Sequence, residues 1–463
     1  MNLFKQEDTI IALATPFGRA ALAVLRISGK DSLKAVSSVF FDKNRKSIDI
    51  KNRKIHHGFI YDCENKIDEV IVSFMQNPNS STGEDVIEIT AHGNPVIVRT
   101  ITDLLLKKGL RLADRGEFSY RAFINNKLDL TEAESINALI HGSTKKAVEL
   151  SLNTLQGSFS NEVKKIKEKL TELYAYLEVS LDYPTEDIDF LTREQKKEKL
   201  TYIISQTDKL IDCYSLNKNI VDGIKIAIVG KPNVGKSSIL NSILGYQRAI
   251  VTDVAGTTTD VINESIEYKG FLFTVTDTAG IRQHYANEIE KVGQTRAKHS
   301  ADVADVILFV VDNGRIFDDD DNSILELIKN RNKDTLIVVN KSDLATKIIF
   351  DRLYDVYDKS NFIWYSCVNK TDINVLLEKI YQKCNLQNIS ENSSMLINAR
   401  QYNLLCKLKE MLQQTLNVII KGDQDEIVSF YAQNGLKIID EILGTEVSEE
   451  ILKSVFSKFC VGK

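Results

Sequence analysis

The sequence predicts a multidomain protein, α/β plus all-α, in which one α/β domain is inserted between two halves of a helical domain. Three observations carry this. Leucine-rich stretches with three- and four-residue spacing flank the centre, the centre alternates short apolar runs with amphipathic segments, and the first part mixes β-rich runs with one amphipathic helix. The 463 residues correspond to about two to four domains at roughly 100–200 residues each. With 43% hydrophobic and 27% charged residues, the chain has apolar material for several cores and too much of it to remain disordered.

Between Ile10 and about Leu130, the runs Ala21–Ile27, Glu69–Phe74 and Asp85–Ala91 have strand character and Val96–Lys107 reads as a helix, giving a compact α/β domain. From about Ser143 to Leu181, the residues Leu152, Leu155, Phe159, Val163, Ile166, Leu170, Leu173, Leu177 and Leu181 share one face and predict a single long bundle helix. A second helical pattern runs from Thr192 to Tyr214. After about Asn388, Leu404, Leu405, Leu408, Leu412, Leu416 and Ile419 mark another. The centre, about Ile220 to Asn385, carries the apolar runs Lys225–Val229, Phe271–Thr276, Val306–Val311, Thr335–Val339 and Phe362–Tyr365, which predict a parallel sheet covered by helices on both faces. The expected domains are 1–125, 126–218, 219–385 and 386–463, the second and fourth forming the helical domain.

Lys plus Arg (59) against Asp plus Glu (64) leaves a net charge of -5, so bulk attraction to polyphosphate is not the main binding force and any nucleic-acid contact is local. No run of about 18 apolar residues occurs, and Met1–Arg19 lacks a basic segment followed by an apolar one. A cytoplasmic protein, neither secreted nor membrane-spanning, is expected. The six cysteines are scattered, and five are expected to be buried thiols. Histidine is too sparse for a His-based metal site. Cys460 stands near the end, but the following Val461-Gly462-Lys463 does not fit prenylation.

Immediately after the run ending at Val229 comes Gly230-Lys231-Pro232-Asn233-Val234-Gly235-Lys236-Ser237, a full match to the phosphate-loop pattern in its strand-to-helix context. Its glycines let backbone N–H groups curl around the β-phosphate, Lys236 reaches the β/γ oxygens, and Ser237 ligates Mg²⁺. Asp277-Thr278-Ala279-Gly280 closes the next run but is weak alone; there Asp277 can hold the Mg²⁺ shell while the Gly280 N–H faces the γ-phosphate. In Asn340-Lys341-Ser342-Asp343, the Asp343 carboxylate can accept two parallel hydrogen bonds from guanine, a pair adenine does not offer. Taken singly, Asp343 also reads as a helix N-cap; the three elements in this order read as a GTPase. Between them, Thr252 to Asp260 is a polar loop where a GTPase places its first switch, with Thr258 as the Mg²⁺ ligand that senses the γ-phosphate. Ile281 stands where many GTPases carry a water-orienting Gln, so catalysis comes from elsewhere.

Asn233, the Thr252–Asp260 loop, Ile281, the flanking leucine-rich helices and the ending Phe459-Cys460-Val461-Gly462-Lys463 together resemble the MnmE (TrmE) family of tRNA-modification GTPases. Asp8–Pro16, Leu25–Gly29, Thr82–Glu88 and Gly116–Leu130 are similar to the family as well, so the resemblance spans essentially the whole chain. It implies an N-terminal folate-binding and dimerisation domain, a discontinuous helical domain and an inserted Ras-like P-loop G domain. The implied GTP-binding residues are Asn233, Val234, Gly235, Lys236, Ser237 and Ser238; Thr252, Asp253, Val254, Ala255, Gly256, Thr257 and Thr258; Asp277, Thr278, Ala279 and Gly280; Asn340, Lys341, Ser342 and Asp343; and Ser366, Cys367 and Val368.

The resemblance also implies hydrolysis stimulated by K⁺ when two G domains meet, with Asn233, Thr252, Val254 and Thr257 as its ligands and Glu290 orienting the attacking water. One insertion between Arg282 and Glu288 keeps Glu288 as an alternative. Thr259 stands where Arg is usual, and Cys367 where Ala is usual. Family folate contacts carry over to Arg26, Glu88, Lys127 and Lys463, for a 5,10-methylene- or 5-formyl-tetrahydrofolate; without the family these read as ordinary surface charges. The implied activity builds an aminomethyl-type group on carbon 5 of the wobble uridine of certain tRNAs, with glycine or ammonium as nitrogen donor. The implied assembly is a homodimer acting with the FAD-dependent MnmG. A ribosome-assembly GTPase of the Era or Der type shares the nucleotide motifs, but it requires a KH-like domain, and no Gly-x-x-Gly follows residue 385. A GTP-dependent assembly module that has lost hydrolysis is the third reading of Ile281.

Overall fold

The computed structural model describes residues 8–182, 191–221, 223–245, 264–275, 301–329, 331, 333–346, 348, 350–368, 373–387, 394–422 and 425–462. They divide into two compact units. The first holds residues 1–140, 152–209 and 399–463, and the second holds 141–151 and 210–398.

The first unit opens with β1 (Ile10–Leu13), β2 (Leu22–Ser28), α1 (Ser32–Ser37), β3 (Phe40–Phe41), β4 (Ile55–Asp62), β5 (Asn65–Met75), β6 (Val86–His92), α2 (Pro95–Lys107), β7 (Arg111–Leu112) and α3 (Glu117–Ile124). Its seven-stranded sheet has the order β3-β4-β5-β6-β2-β1-β7, antiparallel except for the β1–β7 pair. Alternation decides its faces: Ala23, Leu25 and Ile27 on β2 and Ile87, Ile89 and Ala91 on β6 are buried with Ala35 and Val36 of α1 and Val98, Ile101, Leu104 and Leu105 of α2. The opposite face carries Arg26 and Glu88. Asn94 caps α2 by accepting from the Val96 N–H at 2.9 Å, and Pro95 fills the first helical position, where no N–H is needed.

Helices α4 (Leu130–His141), α5 (Lys145–Leu155), α6 (Ser158–Asp182) and α7 (Arg193–Val221) follow. The single long helix expected from Ser143 to Leu181 is in fact two. Gly157, at φ 88°, ends α5, and α6 starts one residue later. Phe159, Val163, Ile166, Leu170, Leu173 and Leu177 are buried as the spacing requires, whereas Leu152 on α5 is exposed.

In the second unit, β8 (Ile224–Val229), α8 (Lys236–Leu244), β9 (Glu264–Tyr268), β10 (Phe271–Val275), β11 (Val306–Asp312), α9 (Asp319–Lys329), β12 (Asp334–Asn340), α10 (Asp351–Tyr354), β13 (Phe362–Trp364) and α11 (Ile373–Lys383) form an α/β layer structure. Strand order is β13-β12-β11-β8-β10-β9. All pairings are parallel except β9–β10, an antiparallel edge that the expectation of a parallel sheet did not include. Every residue of β11 is buried, the mark of a strand covered on both faces.

The chain then returns to the first unit as α12 (Ala399–Lys421), α13 (Asp425–Leu443) and α14 (Glu449–Phe456). Thr415, Leu408 and Leu412 of α12 are buried, as are Ala432, Gly435 and Ile439 of α13. Among the described residues no helix is long and apolar enough to cross a membrane. The expectation of five buried thiols fails: Cys63 is exposed in the β4–β5 turn at φ 51°, Cys460 is exposed, and Cys213, Cys367, Cys384 and Cys406 are half-buried.

A small residue lets α13 approach its neighbours. A Cβ on Gly435 meets only the flexible Leu170 Cδ2 at 3.1 Å and Leu408 Cδ1 at 3.6 Å. Gly435→Ala should therefore be neutral or stabilising by up to about 1 kcal/mol through helix propensity. Gly435→Leu overpacks the contact and should destabilise by about 1–3 kcal/mol. Thermal unfolding of both variants checks the sign.

Candidate functional site

In the second unit the phosphate loop runs from the end of β8 to the start of α8. Its backbone is special at three positions: Gly230 at φ 150°, Asn233 at φ 65° and Gly235 at φ 102°. Asn is among the few non-glycine residues that tolerate the left-handed region. The two glycines are fixed by close approach as well. A Cβ on Gly230 falls 2.4 Å from the Val310 carbonyl oxygen at the end of β11, and one on Gly235 falls 2.0 Å from Asn340 Nδ2.

The Asn340–Asp343 element meets the phosphate loop through that same amide. Asn340, only 2% exposed, donates from Nδ2 to the Val234 carbonyl at 2.7 Å, while the Cys367 thiol lies 3.7 Å from Asn340 Oδ1. Burial pushes the Cys367 thiol up, so it stays protonated and donates. Lys341 sits at φ 57°, and its ammonium pairs with Asp312 Oδ2 at 2.6 Å. Ser366 Oγ donates to Asp343 Oδ1, and the Ser342 N–H bonds the Tyr365 carbonyl at 3.1 Å. The two loops after β12 and β13 thus hold the Asp343 carboxylate between them. Val368 is 80% exposed.

Lys236 Nζ donates to the Gly230 carbonyl at 2.8 Å and the Lys231 carbonyl at 2.7 Å, which arches the loop over its own ammonium. Burial, with a smaller contribution from the Arg315 charge, lowers its pKa to about 8. Lys231 points the other way, to Asp318 at 2.6 Å and Asp320 at 3.0 Å. Asp312 and this Lys231–aspartate clamp are the site residues the sequence reading missed. The acidic end of the β11 run was visible, but nothing local links it to Lys341 or Lys231.

The structure therefore brings Asn233, Val234, Gly235, Lys236, Ser237 and Ser238 together with Asn340–Asp343 and Ser366–Cys367. Thr252, Asp253, Val254, Ala255, Gly256, Thr257, Thr258, Asp277, Thr278, Ala279, Gly280, Glu288, Glu290 and Lys463 lie outside the described residues.

In the first unit, Arg26 and Glu88 are directly opposite on β2 and β6. Arg26 Nε donates to Glu88 Oε1 at 2.9 Å, Nη2 lies 2.8 Å from the same oxygen, and Nη1 donates to the Gly462 carbonyl at 3.3 Å. The guanidinium also lies 5.9 Å from the Phe118 ring centroid. Lys127 is exposed at the end of the turn after α3, its N–H bonded to the Ala122 carbonyl at 2.8 Å. Beneath the pair is a buried ionic cluster: Arg121 bridges Glu84 and Glu117 at 2.9 Å each, and Arg111 meets Glu117 at 2.7 Å. Burial pushes the Glu117 carboxyl up, but bonds from Arg111, the Asp114 N–H and Arg121 overcome this and hold it below the usual range.

Residues 9–127 match the model of the GTP-binding protein TrmE N-terminus, and residues 130–460 match the model of the MnmE helical domain. The chain is 40% identical over 467 aligned residues to the tRNA modification GTPase MnmE of Endomicrobium trichonymphae, covering 100% of both chains. The chain belongs to the MnmE family. The tRNA modification GTPase MnmE of Clostridioides difficile (strain 630) is 39% identical, with 99% of each chain covered. A crystal structure of Era with MgGDPNP and 16S ribosomal RNA aligns with 35% of this chain and 56% of its own at 29% identity and a TM-score of 0.26. As an MnmE-family member the chain is a tRNA modification GTPase: an α/β N-terminal domain, a helical domain and a P-loop GTPase domain combine in one enzyme that hydrolyses GTP.

Two expectations follow. If Asp343 accepts from guanine N1–H as the sequence leads one to expect, Asp343→Asn keeps the Ser366 contact but replaces that acceptor with a donor suited to xanthine. GTP affinity should fall about 100-fold or more and XTP affinity rise, measured by competition binding. Second, Lys236 is already charged below pH 8 and loses its proton above it. A bound phosphate favours the ammonium, so nucleotide binding should take up protons above about pH 8, with affinity falling by up to about tenfold per pH unit. Calorimetry in buffers of different ionisation enthalpy measures the uptake, and Lys236→Met should abolish it.

Proposed function

We propose that this protein is a K⁺-stimulated GTPase whose turnover drives addition of an aminomethyl-type group at carbon 5 of the wobble uridine of certain tRNAs, in the cytoplasm. The observation that carries the reading is full-length similarity to MnmE relatives, together with intact phosphate-loop and guanine-side elements held by Asn340.

Ser237 and Thr258 hold Mg²⁺ in this reading, with Asp277 in its outer shell. Asn233, Thr252, Val254 and Thr257 hold K⁺, which neutralises charge on the transferring phosphoryl group when bound. Asn233, at φ 65° within the phosphate loop, carries an amide oxygen of the chemistry that role needs. Glu290 orients the attacking water in place of the apolar Ile281, with Glu288 as the alternative.

Arg26, Glu88, Lys127 and Lys463 contact a tetrahydrofolate, which supplies the one-carbon unit. The Arg26 guanidinium fits such a ligand: of its five N–H groups, three are directed at Glu88 and Gly462, leaving two for a carboxylate. Glu88 keeps one carboxylate oxygen free of Arg26 and is suited to accept from a pterin edge. A homodimer formed through the N-terminal domain, and an FAD-dependent partner of the MnmG type, complete the reading.

The deciding experiment is mass spectrometry of tRNA nucleosides from cells lacking this protein. Loss of the wobble-uridine modification, restored by the unaltered gene but not by Glu290→Ala, is the expected result. Unchanged wobble uridines would refute the proposal.

A further inference from the structure

The end of the seven-stranded sheet where β2 finishes and β4 begins carries three loops: residues 29–34 after β2, including the start of α1, residues 51–54 before β4, and residues 76–85 between β5 and β6. Hydrogen bonds join them into one rim. The Arg53 N–H, on a backbone at φ 56°, bonds the Phe74 carbonyl at 2.8 Å, and the Gln76 N–H bonds Asn52 Oδ1 at 3.0 Å. The Asn77 N–H bonds Asp85 Oδ1 at 2.9 Å, and the Gly29 N–H bonds the Asp85 carbonyl at 3.0 Å. Within the second loop, the Lys51 N–H donates to His56 Nε2 at 2.9 Å.

Lys30, Lys34, Lys51, Arg53 and Lys54 are all exposed on this rim. Lys51 reaches only Asp49, at 3.8 Å between two solvent-exposed side chains, and the other four make no ion pair among the described residues. The lysines of α6 differ: Lys164, Lys165 and Lys169 each meet a carboxylate within 3.4 Å. Nor do the rim's own carboxylates offset the cations. Glu84 is engaged by Arg121 and Ser28, and Asp85 by the Asn77 N–H, which leaves Asp31 and Asp49. In a chain of net charge -5, an uncompensated cationic rim on a fixed backbone is a local place for a polyphosphate to bind.

Register ties the rim to the Arg26–Glu88 pair. Ile55, next to Lys54, is the cross-strand partner of Ser73, Ser73 of Glu88, and Glu88 of Arg26. Three inter-strand steps put the 51–54 turn roughly 15 Å from Arg26 on the same sheet. A nucleic acid whose backbone lies on the rim therefore has its bases within reach of the face that carries Arg26 and Glu88.

We propose that this rim binds the phosphate backbone of the tRNA substrate beside the Arg26–Glu88 face. This rests on the reading of that face as the place of one-carbon transfer to tRNA.

The test measures binding of the full chain to tRNA from cells lacking this protein, across a series of salt concentrations. Lys51→Gln/Arg53→Gln/Lys54→Gln should weaken binding about tenfold or more and lower the slope of log affinity against log salt by about 2–3, the contribution of three phosphate contacts. Lys51→Arg/Arg53→Lys/Lys54→Arg should keep both; loss here as well would trace the effect to the shape of the turn and overturn the inference. Arg99→Gln/Lys107→Gln/Lys108→Gln, the same loss of charge on α2, should change affinity less than about threefold. GTP hydrolysis without tRNA should be unchanged in all three variants. Full tRNA affinity in the first variant, even with binding to a partner protein lost, or an equal loss in the α2 variant, would overturn the inference and leave the modification reading intact. That reading is overturned separately, by unchanged wobble uridines in cells lacking the protein.

Discussion

The nucleotide half of the molecule depends on one buried side-chain amide. Asn340 ends β12 and Val234 follows β8, and β11 lies between these strands, so no backbone ladder joins the two loops. The Nδ2 hydrogen bond does, and leaving either partner unsatisfied in the interior costs about 1–3 kcal/mol. Other features follow from it. Gly235 must lack a side chain because the amide occupies that space, and Lys341 adopts a left-handed backbone directly after the anchored residue, where its ammonium meets Asp312. Cys367 donates its thiol hydrogen to the amide oxygen at 3.7 Å, so both ends of the amide are engaged. The loop that starts at Asn340 and the loop between β8 and α8 are therefore tied to each other through a single buried side chain.

The first unit solves a different problem: holding charges at low exposure without letting them dominate stability. Glu117 and Arg121 are essentially inaccessible, and such pairs contribute geometry more than stability because desolvation offsets their attraction. Glu84 accepts from both Arg121 and Ser28, and Ser28 also bonds Thr82, so the cluster fixes the Thr82–Glu84 loop against β2. Arg26 and Glu88 lie on the neighbouring register positions of that framework.

Much of this was legible because burial writes itself into local pattern. The runs Lys225–Val229, Val306–Val311 and Thr335–Val339 lie within strands because a strand covered on both faces has to be apolar throughout. The phosphate loop was legible because its backbone geometry demands particular residues at fixed spacing. The break at Gly157 was hidden, since the three-and-four rhythm of Leu152, Leu155 and Phe159 continues across it; only the conformation of the glycine stops the helix. The antiparallel edge strand β9 was missed because Glu264–Tyr268 is half-exposed and polar. Lys231 with Asp318, or Arg121 with Glu84, are separated by 87 and 37 residues, and no local rule pairs charges over such distances. Residues 252–258, 277–280 and 290 belong to the part of the site that the described residues leave out.

The contact between Arg26 and the Gly462 carbonyl spans 436 positions of the chain. Nearby, a Cβ on Gly116 falls 2.4 Å from the Phe456 carbonyl oxygen, and Tyr120 packs edge-on against the Phe456 ring at 5.4 Å. On a ribosome adding roughly 5–20 residues per second, the interval between translating Arg26 and Gly462 is about 20–90 s. Throughout it the nascent N-terminal domain presents the Tyr120 surface bare and its arginine short of a partner. The N-terminal domain is thus completed by a segment translated long after it, so its final packing waits on chain synthesis and not on local folding speed.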